Sequence, residues 1–87
     1  MNYYVYLLVS KSNNRVISYV GYTNNLSKRL KLHNNAKGAK FTRGRKWSLA
    51  YTSVYNSKSV AMKNEFLLKK DYKRRSLIKK KYLKSFK

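Results

Sequence analysis

Sixteen residues, Ser18 to His33, constrain this chain more than any other stretch. The lead-in is a strand: Val16, Ile17, Tyr19 and Val20 are β-branched or aromatic. Gly21 follows, where a strand residue without a side chain admits another group at close range. Thr23, Asn24 and Asn25 are turn and helix-capping residues. Leu26 and Leu30 then share one face of a helix, and Arg29 and His33, also four apart, share a face too. The stretch therefore gathers a strand-end tyrosine, an arginine and a histidine into one neighbourhood. Taken alone, it would equally describe an amphipathic helix with a surface arginine.

The remaining chain supplies partners for this unit. Tyr3 to Ser10 reads as a strand, and Val16 to Tyr22 as a second, antiparallel to it in a hairpin. Between them lies Lys11 to Arg15, with Asn13 and Asn14 tolerant of positive φ. The first helix runs from Leu26 to about Asn34, with Asn34 and Asn35 ending it. Residues 36–47 form a loop in which five of twelve are Lys or Arg: Lys37, Lys40, Arg43, Arg45 and Lys46. Phe41 and Trp47 are interleaved with them, and Gly38 and Gly44 loosen the backbone. The pattern suits a phosphate-tracking loop with aromatic surfaces for stacking or packing, with Trp47 turned into the domain. A third strand, Leu49 to Tyr55, is expected to put Leu49, Tyr51 and Ser53 on one face. Asn56-Ser57 opens a helix with an apolar stripe of Val60, Ala61, Phe66, Leu67 and Leu68, running to about Lys70. Asp71 to Arg75 reads as a break. Ser76 then caps a last helix carrying Leu77, Ile78, Tyr82, Leu83 and Phe86. The expected architecture is α+β: a small three-stranded antiparallel sheet flanked by helices, in the order β-β-α-β-α-α. It reads as a single domain, 1–87, with 72–87 a basic C-terminal helical extension.

Charge narrows the partners. Twenty-two basic residues stand against two acids, a net +20. A coding sequence rich in A and T explains lysine over arginine, but it would also favour glutamate, and only Glu65 is present. The surplus therefore points to nucleic acid. No basic segment has the large apolar face that membrane insertion needs. No apolar run reaches membrane-spanning length and nothing resembles a signal peptide, so an intracellular protein is expected. Without cysteine there are no disulfides or thiolate metal sites, and one histidine excludes a multi-histidine centre.

Hydrolysis of a phosphodiester needs a proton acceptor for water, a cation on the phosphoryl oxygens and charge balance at the leaving oxygen. Only two carboxylates exist to hold a metal. Asp71 lies in a basic run. Glu65 lies near the apolar side of its helix, where an ordinary role would be an ion pair with Lys69. A single carboxylate can hold one hard cation that keeps its waters and binds substrate phosphate.

Tyr4-Val5-Tyr6, Tyr19-Val20-Gly21, Arg29, His33 and Glu65, in that order, resemble the signature of the GIY-YIG nuclease superfamily. The string Lys37-Gly38-Ala39-Lys40-Phe41-Thr42-Arg43-Gly44-Arg45 is similar to a loop in the branch holding small stand-alone bacterial proteins and the catalytic subunit of a eukaryotic flap and junction endonuclease. The likeness covers Tyr3 to about Lys70. Tyr4 and Val5 replace the Gly-Ile that names the motif, and the zinc-binding domain of the eukaryotic subunit has no counterpart here. The resemblance implies a divalent-metal-dependent DNA endonuclease, selective for branched, flap or nicked DNA in repair or recombination. It implies that Glu65 ligates Mg²⁺ or Mn²⁺ and that Arg29 binds the scissile phosphate. Tyr6 would activate water, with Tyr19 orienting it or contacting the phosphate. His33 would adjust the proton balance of that tyrosine, and nearby Arg29 would favour its phenolate. Between the two tyrosines the residues alone do not choose. Tyr22 and Lys40 are further candidates to reach the phosphate. So short a chain offers little surface for base readout, so DNA shape is the expected cue, with room for a protein partner that adds specificity. The competing reading is a nucleic-acid-binding module without turnover; a membrane-active cationic protein fits the hairpin poorly.

Overall fold

A computed structural model describes residues 1–12 and 15–84. Asn13, Asn14 and Phe86, named above, lie outside the described residues. Three strands, β1 (Tyr3–Ser12), β2 (Arg15–Thr23) and β3 (Ser48–Tyr55), form one antiparallel sheet in the order β2-β1-β3. β1 is central, so both its faces are covered, and Val5, Tyr6, Leu7, Leu8 and Val9 are all buried. This explains its unbroken apolar run, where a one-sided strand would alternate.

The two faces carry different cores. Val5, Leu7 and Val9 point to one side, with Val20, and are covered by helices α2 (Lys58–Lys70) and α3 (Tyr72–Lys84). Tyr6 and Leu8 point to the other side, against Trp47, Ile17 and Tyr19 and against Leu26 and Leu30 of helix α1 (Leu26–Asn34). α1 starts where expected because the Asn25 side chain accepts from the Lys28 N–H at 3.1 Å. It ends in a Schellman pair, Lys37 N–H to Leu32 C=O and Ala36 N–H to His33 C=O, which puts Ala36 at φ 60°. Ser57 caps α2 in the same manner as Asn25 caps α1, accepting from Val60 N–H.

Three expectations need correction. A bulge between Leu7 and Leu8 inserts Ala50 into β3, so Leu49 and Tyr51 do not share a face. Ala50 and Tyr51 both pack on the α2–α3 core, and Leu49 is left exposed. The buried ridge of α2 is Ala61 and Leu68, two turns apart, while Val60, Phe66 and Leu67 face outward. Asp71 to Arg75 is no break: Asp71 alone separates the helices. Its carboxylate accepts from Arg74 N–H at 3.0 Å, capping α3, and Ser76 lies inside that helix. α3 joins the core through Ile78 and Tyr82.

Candidate active site

The face of the sheet under α1 holds a line of polar groups inside an aromatic cluster. Tyr6 stands directly across from Gly21 in the β1–β2 register. A Cβ on Gly21 would run into the Tyr6 hydroxyl, so the glycine makes room for the phenol. Tyr6 is 1% exposed and His33 is fully buried. Tyr6 Oη lies 2.9 Å from His33 Nε2, and His33 Nδ1 lies 2.9 Å from Thr42 Oγ1. Thr42 Oγ1 is in turn 2.8 Å from the Ala39 carbonyl, to which it must donate. That uses its single hydrogen, so toward His33 it accepts. Nδ1 therefore carries the imidazole proton, Nε2 is the bare nitrogen, and Tyr6 O–H donates to it.

The electrostatics agree with a neutral imidazole. Burial, and then the charge of Arg29, hold His33 below its ordinary 6.5. Burial also pushes the Tyr6 phenol above its ordinary 10, and Tyr19 and Glu65 add to that. The Arg29 guanidinium pulls the other way, as expected, but burial outweighs it. Arg29 Nε is itself buried without a hydrogen-bond partner, one of two such side-chain atoms among the described residues. An unpaired buried guanidinium N–H beside the phenol is a ready donor for an anion.

Tyr19 lies on the same face, its ring 5.1 Å from His33, in an arc that continues to Phe41 and Trp47. Trp47 is buried, its Nε1 donating to Thr42 C=O at 2.9 Å, while its backbone is clipped by Asn34 in two hydrogen bonds. Glu65 stands on α2 between Ala61 and Leu68. It is close enough to act on Tyr6 and is paired with Lys69 Nζ at 3.4 Å. Lys69 in turn lines a small cleft with Ser18, Tyr19, Val20 and Arg75. Among the described residues no three His, Cys, Asp or Glu come together to hold a metal. The lone carboxylate suits a hard, largely hydrated cation sharing its shell with substrate, and not a closed tetrahedral site.

Tyr6, Tyr19, Arg29 and His33 are thus brought together, with Glu65 in electrostatic reach. Lys37, Lys40, Arg43, Arg45 and Lys46 are all exposed on the loop. Arg43, Arg45 and Lys46 rim a cleft completed by Ser10, Lys11 and Gly44. Tyr22 is not with them: it packs on the α2–α3 core, on the opposite face from Tyr6. Two residues of the site were passed over in the sequence. Thr42 sits in a single 3₁₀ turn, Lys40–Thr42, that holds His33 from beneath. Gly38 lies against His33, where a Cβ would clash with Nδ1. The available signal was a lone hydroxyl residue among cations and glycines in a loop that must cover a histidine.

Comparison with known proteins identifies the family. The GIY-YIG catalytic domain matches residues 2–82. A UPF0213 protein of Clostridium perfringens is 46% identical over 68 residues, covering 77% of this chain and 70% of its own. A UPF0213 protein of Bacillus licheniformis is 51% identical over 53 residues, covering 60% of this chain and 55% of its own. The solution NMR structure of a UPF0213 protein from Bacillus halodurans is 41% identical, covers 100% of this chain and 86% of that one, and superposes with a TM-score of 0.49. With the match running almost from end to end, the chain belongs to the GIY-YIG nuclease family.

Proposed function

We propose that this chain is a divalent-metal-dependent DNA endonuclease that recognises branched, flap or nicked duplexes by shape. The observation that supports it best is the buried line Tyr6–His33–Thr42 beside an arginine whose Nε lacks a partner. In this reading a phosphate oxygen supplies that partner, and the guanidinium offsets the charge that grows on the phosphoryl group. The attacking water gives its proton to Tyr6 Oη as the phenol's own proton passes to His33 Nε2. The new P–O bond forms, the old one breaks, and the departing oxygen is protonated from solvent. Tyr19 orients the water or the phosphate. Glu65 would hold Mg²⁺ or Mn²⁺, which when bound supplies charge stabilisation at the leaving oxygen. Its Oε2 is paired with Lys69, so the cation would compete with that ammonium or take the other oxygen. Lys37, Lys40, Arg43, Arg45 and Lys46 take backbone phosphates on either side of the break.

One observation favours the second reading, a binding module without turnover: the Tyr6 hydroxyl is buried, bonded and shifted toward its neutral form. Supercoiled plasmid and branched oligonucleotide duplexes, incubated with Mg²⁺ or with chelator, separate the two. Cleavage should need the metal. Glu65→Gln should abolish it while leaving binding intact or slightly tighter, since a negative charge is lost. Full activity in Glu65→Gln, or in chelator, would sink the one-carboxylate reading.

A further inference from the structure

The loop carries one residue whose exposure its mounting does not explain. Thr42 is fully buried, bonded to His33 and Ala39, and its carbonyl accepts from the Trp47 indole. The 3₁₀ turn is therefore fixed from below. Yet Phe41, the residue just before, is 57% exposed. Its ring lies nearly parallel to that of Tyr19, 6.2 Å between centroids and 21° between planes, and is tilted against Trp47 at 6.3 Å. One ring face is thus backed by aromatics, and exposed Lys40 and Arg43 flank it.

We propose that the outer face of Phe41 is a stacking platform for one unpaired nucleobase, next to Tyr19. The ligand it selects is a nucleic acid with an unstacked base, as at a flap or gap, over an uninterrupted duplex. A base offers a π-face to the ring while its phosphates meet the cations alongside. An apolar protein surface would instead have to dehydrate Lys40 and Arg43 without pairing them. Rigid mounting favours the platform, because little ordering cost remains on binding. The inference rests on the reading above for the class of ligand, but not on turnover.

The test is therefore binding in chelator, by fluorescence anisotropy, to a gapped or flapped duplex and a continuous duplex of equal length. The branched probe carries 2-aminopurine at the unpaired position. Phe41→Leu keeps apolar volume and loses the π-face. It should weaken binding to the branched probe by about 5- to 150-fold, the range for one base stack. Continuous-duplex binding should hold, and Phe41→Trp should restore both affinity and 2-aminopurine quenching. Equal loss on both probes would make Phe41 a structural prop, and no loss on either would leave its exposure to a protein contact; each overturns the platform. Cleavage lost or kept in Glu65→Gln does not move these readings, so the two proposals fail separately.

Discussion

Thr42→Val tests the proton line at a residue that touches no substrate. Valine has nearly the same shape but neither accepts from His33 Nδ1–H nor donates to the Ala39 carbonyl. Leaving buried polar groups unpaired costs about 1–3 kcal/mol. For a domain of this size each kcal/mol shifts Tm by about 4–8 °C, so melting should fall by roughly 4–24 °C. The chemical consequence is larger. Neutral His33 gains no bond by tautomerising, but moving its proton to Nε2 replaces an unpaired Nδ1–H with an unpaired lone pair, and Nε2–H would then donate to Tyr6. Tyr6 then has no acceptor for its own proton. Single-turnover cleavage at saturating metal should drop by about 10²–10⁴, the range for losing a general base. Because the chain has one histidine, its ¹⁵N shifts report the tautomer without assignment. Thr42→Ser keeps the hydroxyl and should cleave nearly as well as the parent. If Thr42→Val moves the proton to Nε2 and still cleaves at the parent rate, Tyr6 does not use His33. If the proton stays on Nδ1, the tautomer argument itself is wrong.

Three other outcomes follow from the same geometry. Tyr6→Phe should lower single-turnover cleavage by about 10²–10⁴ and also cost about 1–3 kcal/mol in melts, because the bond to buried His33 goes with the hydroxyl; Tyr19→Phe should cost less in both, and the reverse order would exchange their roles. His33 is held below 6.5 in the folded state, so as pH falls through 6.5 the unfolded chain takes up a proton that the folded chain refuses. Stability should therefore decline on acidification, by at most about 1.4 kcal/mol per pH unit, until the folded value is passed; a His33→Gln variant should lack that component in denaturant titrations. Ala36→Gly should raise Tm, since a left-handed alanine costs about 1–2 kcal/mol and glycine returns part of that as chain entropy.

Much of the scaffold was legible because local chemistry and global packing agree there. Asn25 and Ser57 cap helices that begin where those residues place them, and Gly21 lies where a phenol crosses. What was missed lacks a local mark. A one-residue bulge at Ala50 reverses the side of every residue before it without altering composition. Asp71, followed by four basic or aromatic residues, looks like part of a polar break, and only its bond to Arg74 N–H makes it a boundary. Val60, Phe66 and Leu67 look like core because they are apolar, but the ridge that meets the sheet is spaced by seven, Ala61 to Leu68. Thr42 is invisible in sequence because its partner, His33, is nine residues away across a loop.

In the reading proposed above, the placement of these residues ties nucleic-acid contact to proton transfer. The loop alternates fates within a few positions: Gly38, Thr42 and Trp47 turn inward to His33 or the core, while Lys40, Phe41, Arg43, Arg45 and Lys46 turn out. Five cations in twelve residues repel one another, and nothing acidic lies among them to hold the loop shut. The inward contacts must do that, and they are the same bonds that fix the His33 tautomer. On that reading, a phosphate backbone laid across the outward residues would offset that repulsion. In the proposed reading, DNA on the outside of the loop would therefore bear on the hydrogen bond to Nδ1 on the inside, and with it on the acceptor that Tyr6 faces.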